Sequence, residues 1–179
     1  DLTLAEVAEA AGMSLADTRE HAASKSDLVA AFVHAIDDDV LRKAAARPAD
    51  PARDRLFDVI MLRFDALQPY KPALKSIAAS GLVDIALTRP FLASQHWMLQ
   101  AAGISTDGAF GGIKVAGLGS VYAATFRTWI DDDDPGMAKT MAALDRRLRR
   151  GEQSINTVDD VVSGLNRVGR DLQNIFGSL

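Results

Sequence analysis

The chain has 179 residues, 48% of them hydrophobic, and a formal net charge of −4. That is enough apolar surface for a substantial core in one or two small domains. With no cysteine, a disulfide framework and a thiolate-ligated metal are excluded, which fits a reducing compartment. No apolar run approaches the roughly 18 residues of a spanning helix, and no signal-peptide pattern is visible, so a cytoplasmic protein is expected.

Leu4, Val7, Ala8 and Ala11 fall on one helical face, the i, i+3, i+4, i+7 spacing of an amphipathic helix. Thr3 and Glu6 form a capping-box pair at its start, and Gly12 stands where a left-handed residue would end it. Ser14 can cap a second short helix, with Asp17 near its positive end. Two helices joined this tightly around a glycine predict a helix-turn-helix. Ser24, with Asp27 three residues on, begins a long helix predicted to reach about Arg47. Leu28, Phe32, Ile36 and Val40 make its buried stripe, and Asp37, Asp38 and Asp39 are expected on a solvated face. The segment from Pro48 to Pro51 breaks that helix. Asp50 is the expected cap and Pro51 the first residue of the next helix.

The domain joint is placed there, giving a head of residues 1–47, a helical domain of 48–151 and a tail of 152–179. Residues 51–68 are strongly periodic, through Leu56, Phe57, Ile60, Met61, Phe64 and Leu67, and stop at Gln68 and Pro69. A further helix is predicted over 71–88, with Gly81 as a weak point, and another over 91–102, ended by Gly103. Residues 107–130 are the most apolar stretch, yet contain Gly108, Gly111, Gly112, Gly117 and Gly119. Each costs up to about 1 kcal/mol of helix propensity, which close approach of another helix would explain. Asp131 to Asp134 and Pro135 read as a turn and cap. Met137, Met141, Leu144 and Leu148 then form a seam of heptad character, and four arginines precede Gly151. In the tail, Val158, Val161, Leu165, Val168, Leu172 and Ile175 have the spacing of an amphipathic helix. Nothing reads as a strand, so an all-α chain of eight or nine helices is predicted.

No enzyme is expected. His21, His34 and His96 are scattered, outside any metal-binding spacing, and no nucleophile elbow or phosphate loop is present. His34 and Asp38, one turn apart, read as a surface pair. The aspartates at 131–134 lack the loop length and closing glutamate of a calcium site. No metal and no cofactor are therefore predicted.

Val7, Ala8, Ala11, Gly12, Met13, Ser14, His21, Ser24, Lys25 and Leu28 match, or nearly match, the helix-turn-helix pattern of the TetR family of transcriptional regulators, which the chain resembles. Asp17, Thr18, Arg19 and Ala22 stand where that family usually has Thr, Leu, Tyr and Phe. The resemblance implies a helix before residue 3, DNA contacts through Ser14, Leu15, Thr18, Arg19, His21, Ser24 and Lys25, and an operator read in the major groove. Leu15, Ala16 and Thr18 are placed to meet base edges, with Asp17 and Glu20 opposing phosphate. Against that expectation, residues 1–47 carry five basic side chains (Arg19, Lys25, Arg42, Lys43, Arg47) and nine acidic ones. Phosphate neutralisation supplies most non-specific affinity for DNA, and this head is acidic. The resemblance also implies a pocket for an apolar effector, with Met61, Phe64, Tyr70, Trp97, Met98, Phe126 and Trp129 as its candidate lining. It further implies a homodimer packed as a four-helix bundle. Gly112, Ala116 and Ser120 of the glycine-rich helix and Met137, Met141, Leu144 and Leu148 of the next are its expected contacts.

Residues 55–71, 96–103, 129–134 and 139–148 resemble a particular branch, the TetR-like proteins akin to the ubiquinone-biosynthesis accessory protein. That likeness implies lipid in the second domain, no operator binding, and membrane contact through a C-terminal amphipathic helix. The expected function is a regulator whose DNA binding an apolar effector modulates through the spacing of its two heads. The alternative is a lipid-binding accessory protein related to ubiquinone biosynthesis that has lost DNA binding.

Overall fold

The computed structural model describes residues 2–45, 49–79, 85–108 and 110–151. Among them are eight α-helices and no strand. They are α1 (Leu4–Ala10), α2 (Leu15–His21), α3 (Lys25–Lys43), α4 (Ala52–Leu67), α5 (Lys71–Ala79), α6 (Thr88–Ala101), α7 (Gly111–Ile130) and α8 (138–151). The all-α prediction is met. Gly81 and the tail lie outside the described residues.

The caps form as their side chains predict. The Thr3 hydroxyl accepts from the Glu6 amide at 3.2 Å while Glu6 accepts from the Thr3 amide at 2.7 Å. Ser14 and Asp17 repeat the arrangement on α2. Gly12, at φ +64°, ends α1. It lets the Met13 amide reach back to the Ala8 carbonyl at 2.9 Å, the six-to-one bond of a Schellman turn. Gly103, at φ +69°, ends α6 in the same way.

Several boundaries move. Pro51 is the N-cap of α4 and not its first residue, with no side-chain cap bond. The chain does not stop at Gln68. It continues through a 3₁₀ turn, Gln68–Tyr70, straight into α5. Helix α6 starts at Thr88, so Pro90 lies in its first turn, where a missing N–H costs no helical bond. Helix α7 starts at Gly111 because Gly108 adopts φ +81° before it.

Two of the helix-breaking residues have a steric reason. A Cβ on Gly111 would sit 1.7 Å from the Thr106 carbonyl oxygen, and one on Gly119 would meet the Phe91 ring at 3.2 Å. Close approach of α6 therefore explains Gly119, but Gly112 and Gly117 meet open space.

Helices α3, α4, α6 and α7 pack around one core. Phe64 lies fully buried at its centre, stacked on Tyr122 at 5.3 Å and on Trp129 at 5.4 Å. Met137, Leu144 and Leu148 bring α8 into the same cluster. The acidic turn caps α8 as predicted. Asp134 accepts from the Gly136 and Ala138 amides, and buried Asp132 accepts from the Thr140 amide at 2.9 Å and hydroxyl at 2.7 Å.

Helix α5 is attached differently, since none of its residues is buried. Lys71 donates to the Asp132 carbonyl and lies 5.0 Å above the Trp129 ring, while Lys75 pairs with Asp131 at 3.0 Å.

Candidate functional site

In the head, α1 and α2 pack on Ala8, Thr18 and Ala22, which are all buried. Thr18 was expected to face a base edge. Its hydroxyl instead donates to the Ser14 carbonyl at 2.9 Å and its side chain is 5% exposed, so it supports the turn and leaves the outer face of α2. That face presents Leu15, Ala16, Asp17, Arg19, Glu20 and His21, all exposed.

The Ser14 and Ser24 hydroxyls are occupied as caps, each accepting an amide at 3.1 Å. Lys25 begins α3 and donates to the Leu2 carbonyl at 3.1 Å. Hydrogen bonds from the Ser14 hydroxyl and amide hold the Asp17 carboxyl below its ordinary pKa. Its negative charge is thus fixed on the outer face at neutral pH.

Helices α3, α4, α6 and α7 share a buried polar cluster that the sequence reading missed. Asp37, expected in solvent, is buried, whereas Asp38 is exposed and Asp39 pairs with Lys43. From α3, Asp37 accepts from the Arg63 guanidinium of α4 and from the Ser94 hydroxyl of α6. The Arg63 Nε donates to the Tyr122 hydroxyl of α7 at 3.1 Å. Burial pushes the Tyr122 phenol up, and Arg63 opposes the shift. A signal was available. Arg63 interrupts the apolar stripe of Ile60, Phe64 and Leu67, and Asp37 falls in line with Val33 and Val40. Opposite charges in two apolar stripes imply a pair, because an unpaired buried charge is too costly.

The candidate lining residues divide into two groups. Met61, Phe64, Met98 and Trp129 are buried in the core, with Phe126 half-buried at 5.4 Å from the Trp129 ring. Tyr70 and Trp97 are 47% and 51% exposed and belong to different elements. Tyr70 packs edge-on to Phe32 at 5.0 Å, and Trp97 edge-on to His96 at 5.6 Å.

An open groove of about 730 Å³ lies between α6 and α7. Leu92, Ala93, Val115 and Ala116 wall it, with Thr88 and Arg89 at one end and His96, Thr106 and Asp107 at the other. His96 Nδ1 lies 2.9 Å from the Thr106 hydroxyl, which also accepts from the Gln100 amide at 2.9 Å. A smaller cleft, of about 330 Å³, runs past Lys43, Arg55, Asp58 and Met61.

The expected dimer contacts also divide. Gly112, Ala116 and Ser120 are exposed along one face of α7, and Met141 is 38% exposed. Met137, Leu144 and Leu148, by contrast, are turned into the chain's own core, with Leu144 fully buried. Those three are corrected from dimer contacts to core residues, because α8 uses its apolar seam to close its own domain. Among the described residues there is no cluster of three or more metal-ligating side chains, and no helix is long and apolar enough to cross a membrane.

The COQ9 family model matches residues 113–162, which span most of α7, the acidic turn, α8 and the start of the tail. A crystal structure described as the TetR transcriptional regulator from Nitrosomonas europaea ATCC 19718 superposes with a TM-score of 0.63 at 23% identity. The superposition covers 83% of this chain and 85% of that one. No curated protein sequence matches the chain. The chain therefore has the TetR fold, and its α7–α8 region is similar to COQ9.

Proposed function

We propose that the protein is a ligand-binding accessory protein of TetR fold, in which the second domain holds an apolar or lipid ligand and the head no longer reads an operator. The observation that carries this reading is the outer face of α2. With Thr18 turned inward, Leu15 and Ala16 remain of the three positions expected to meet base edges, and neither has a polar group for base readout. Asp17 and Glu20 beside them repel phosphate, and the head as a whole is acidic. The match to COQ9 over 113–162 supports the same reading.

The second reading, a TetR-type regulator with an apolar effector, is favoured by one group of residues. Arg19, His21 and Lys25 are exposed where α2 meets α3, the side from which a helix-turn-helix grips the backbone. In that reading a second copy of the chain pairs through the exposed α7 face of Gly112, Ala116 and Ser120.

Two measurements separate the readings. Vesicles of mixed phospholipid should carry the full chain upward in a density gradient, and removal of residues 157–179 should abolish flotation. Double-stranded DNA from upstream of the protein's own coding region should bind no more tightly than random DNA. Affinity for that DNA that falls steeply with salt and is weakened by Arg19→Ala and Lys25→Ala would overturn the accessory reading in favour of the regulator.

A further inference from the structure

We infer that the groove between α6 and α7 is a binding site for a medium-chain carboxylate, with its head at Arg89 and its chain along Leu92, Ala93, Val115 and Ala116. The inference deepens, and rests on, the reading that the second domain takes an apolar ligand. It assigns that ligand a place outside the aromatic core.

Three observations define the occupant. The walls are apolar, and Leu92 among them is 37% exposed. A concave groove with apolar walls and a few polar groups at its ends has the form of a small-molecule site.

The ends differ in charge. Arg89 is exposed and has no hydrogen-bond or ion-pair partner among the described residues. It also lies in the first turn of α6, a helix with no side-chain N-cap, where the helix dipole favours an anion. Asp107, at the opposite end, already accepts from the Ser105 hydroxyl at 2.9 Å and repels a second carboxylate. The ligand is therefore oriented, with its acidic head at Arg89.

Length follows from the helix. Arg89 and His96 are seven residues apart, about 10 Å of helix axis, which an extended chain of about eight to ten carbons spans. Gly112 keeps the groove open, because a side chain there would project into unoccupied space.

The test uses the full chain and decanoate as probe, followed by tryptophan emission and by equilibrium dialysis. Trp97 stacks edge-on to His96 of the groove, so decanoate should shift its emission saturably. Trp97→Phe should abolish the signal while dialysis still reports binding. Each added methylene from hexanoate to decanoate should tighten binding about fourfold, with no further gain from dodecanoate. Arg89→Ala should weaken decanoate by up to about fivefold, the upper end for an exposed ion pair, and leave decanol unchanged. Gly112→Leu, filling the groove, should weaken both ligands more than tenfold while thermal unfolding stays that of a folded domain. Binding unaffected by both Arg89→Ala and Gly112→Leu would overturn the groove and leave the ligand reading standing. Absence of decanoate binding would overturn the groove as well. A lipid recovered by mass spectrometry from the purified protein would then keep the ligand reading separate.

Discussion

Arg63 of α4 and Asp37 of α3 form an ion pair with side chains only 5% and 8% exposed. Ser94 and Tyr122 complete their hydrogen bonding, so four helices meet at one charge pair. Removal of either partner leaves the other buried and uncompensated, which costs about 3–5 kcal/mol. Asp37→Ala should therefore lower the unfolding free energy in urea by that amount. The double variant Asp37→Leu with Arg63→Met should recover most of the loss. A double variant no more stable than Asp37→Ala would show that the pair is not an isolated unit.

Neighbouring glycines should respond with opposite sign. Gly111→Ala drives a Cβ into the Thr106 carbonyl and should destabilise the domain. Gly112→Ala and Gly117→Ala meet open space within α7. Each should raise stability by up to about 1 kcal/mol through helix propensity. Thermal melts of the three variants decide the matter.

Asp132 links stability to acid. Burial alone would raise its pKa, but bonds from the Thr140 hydroxyl and amide and from the Asp134 amide outweigh burial and hold it below the ordinary value. Its folded pKa lies below its unfolded one. Its contribution is therefore complete above the unfolded value and is lost as pH falls through the folded value. Asp132→Ala should cost about 1–3 kcal/mol at neutral pH by orphaning the buried Thr140 donors. The same variant should show a flatter fall in stability on acidification than the parent chain.

The two tryptophans should be separable by solvent access. Trp129 is fully buried and donates to the Gln68 side chain at 3.1 Å, whereas Trp97 is half exposed. Iodide should quench part of the emission of the parent chain. Trp97→Phe should leave a blue-shifted, iodide-resistant spectrum, and Trp129→Phe a red-shifted, fully quenchable one.

Local chemistry was legible in the residues themselves. Capping boxes, left-handed glycines and apolar stripes act over three or four positions, so Thr3 and Glu6, Ser14 and Asp17, Gly12 and Gly103 marked helix ends before any packing was known. The same locality made the helix-turn-helix and the all-α class readable, and placed the acidic turn at the start of α8. What an amphipathic stripe faces is not a local property. Leu144 and Leu148 have the spacing of an intermolecular seam, yet the cheapest apolar surface for them to cover is that of their own domain. Thr18 matches a reading position in number, but the short turn between α1 and α2 rotates it inward to bond the Ser14 carbonyl. Asp37 looks solvated within a run of three aspartates. Only the meeting of α3 with α4 supplies the guanidinium that makes its burial affordable. The open groove beside Gly112 likewise needs α6 and α7 side by side, a tertiary fact that no spacing along the chain records.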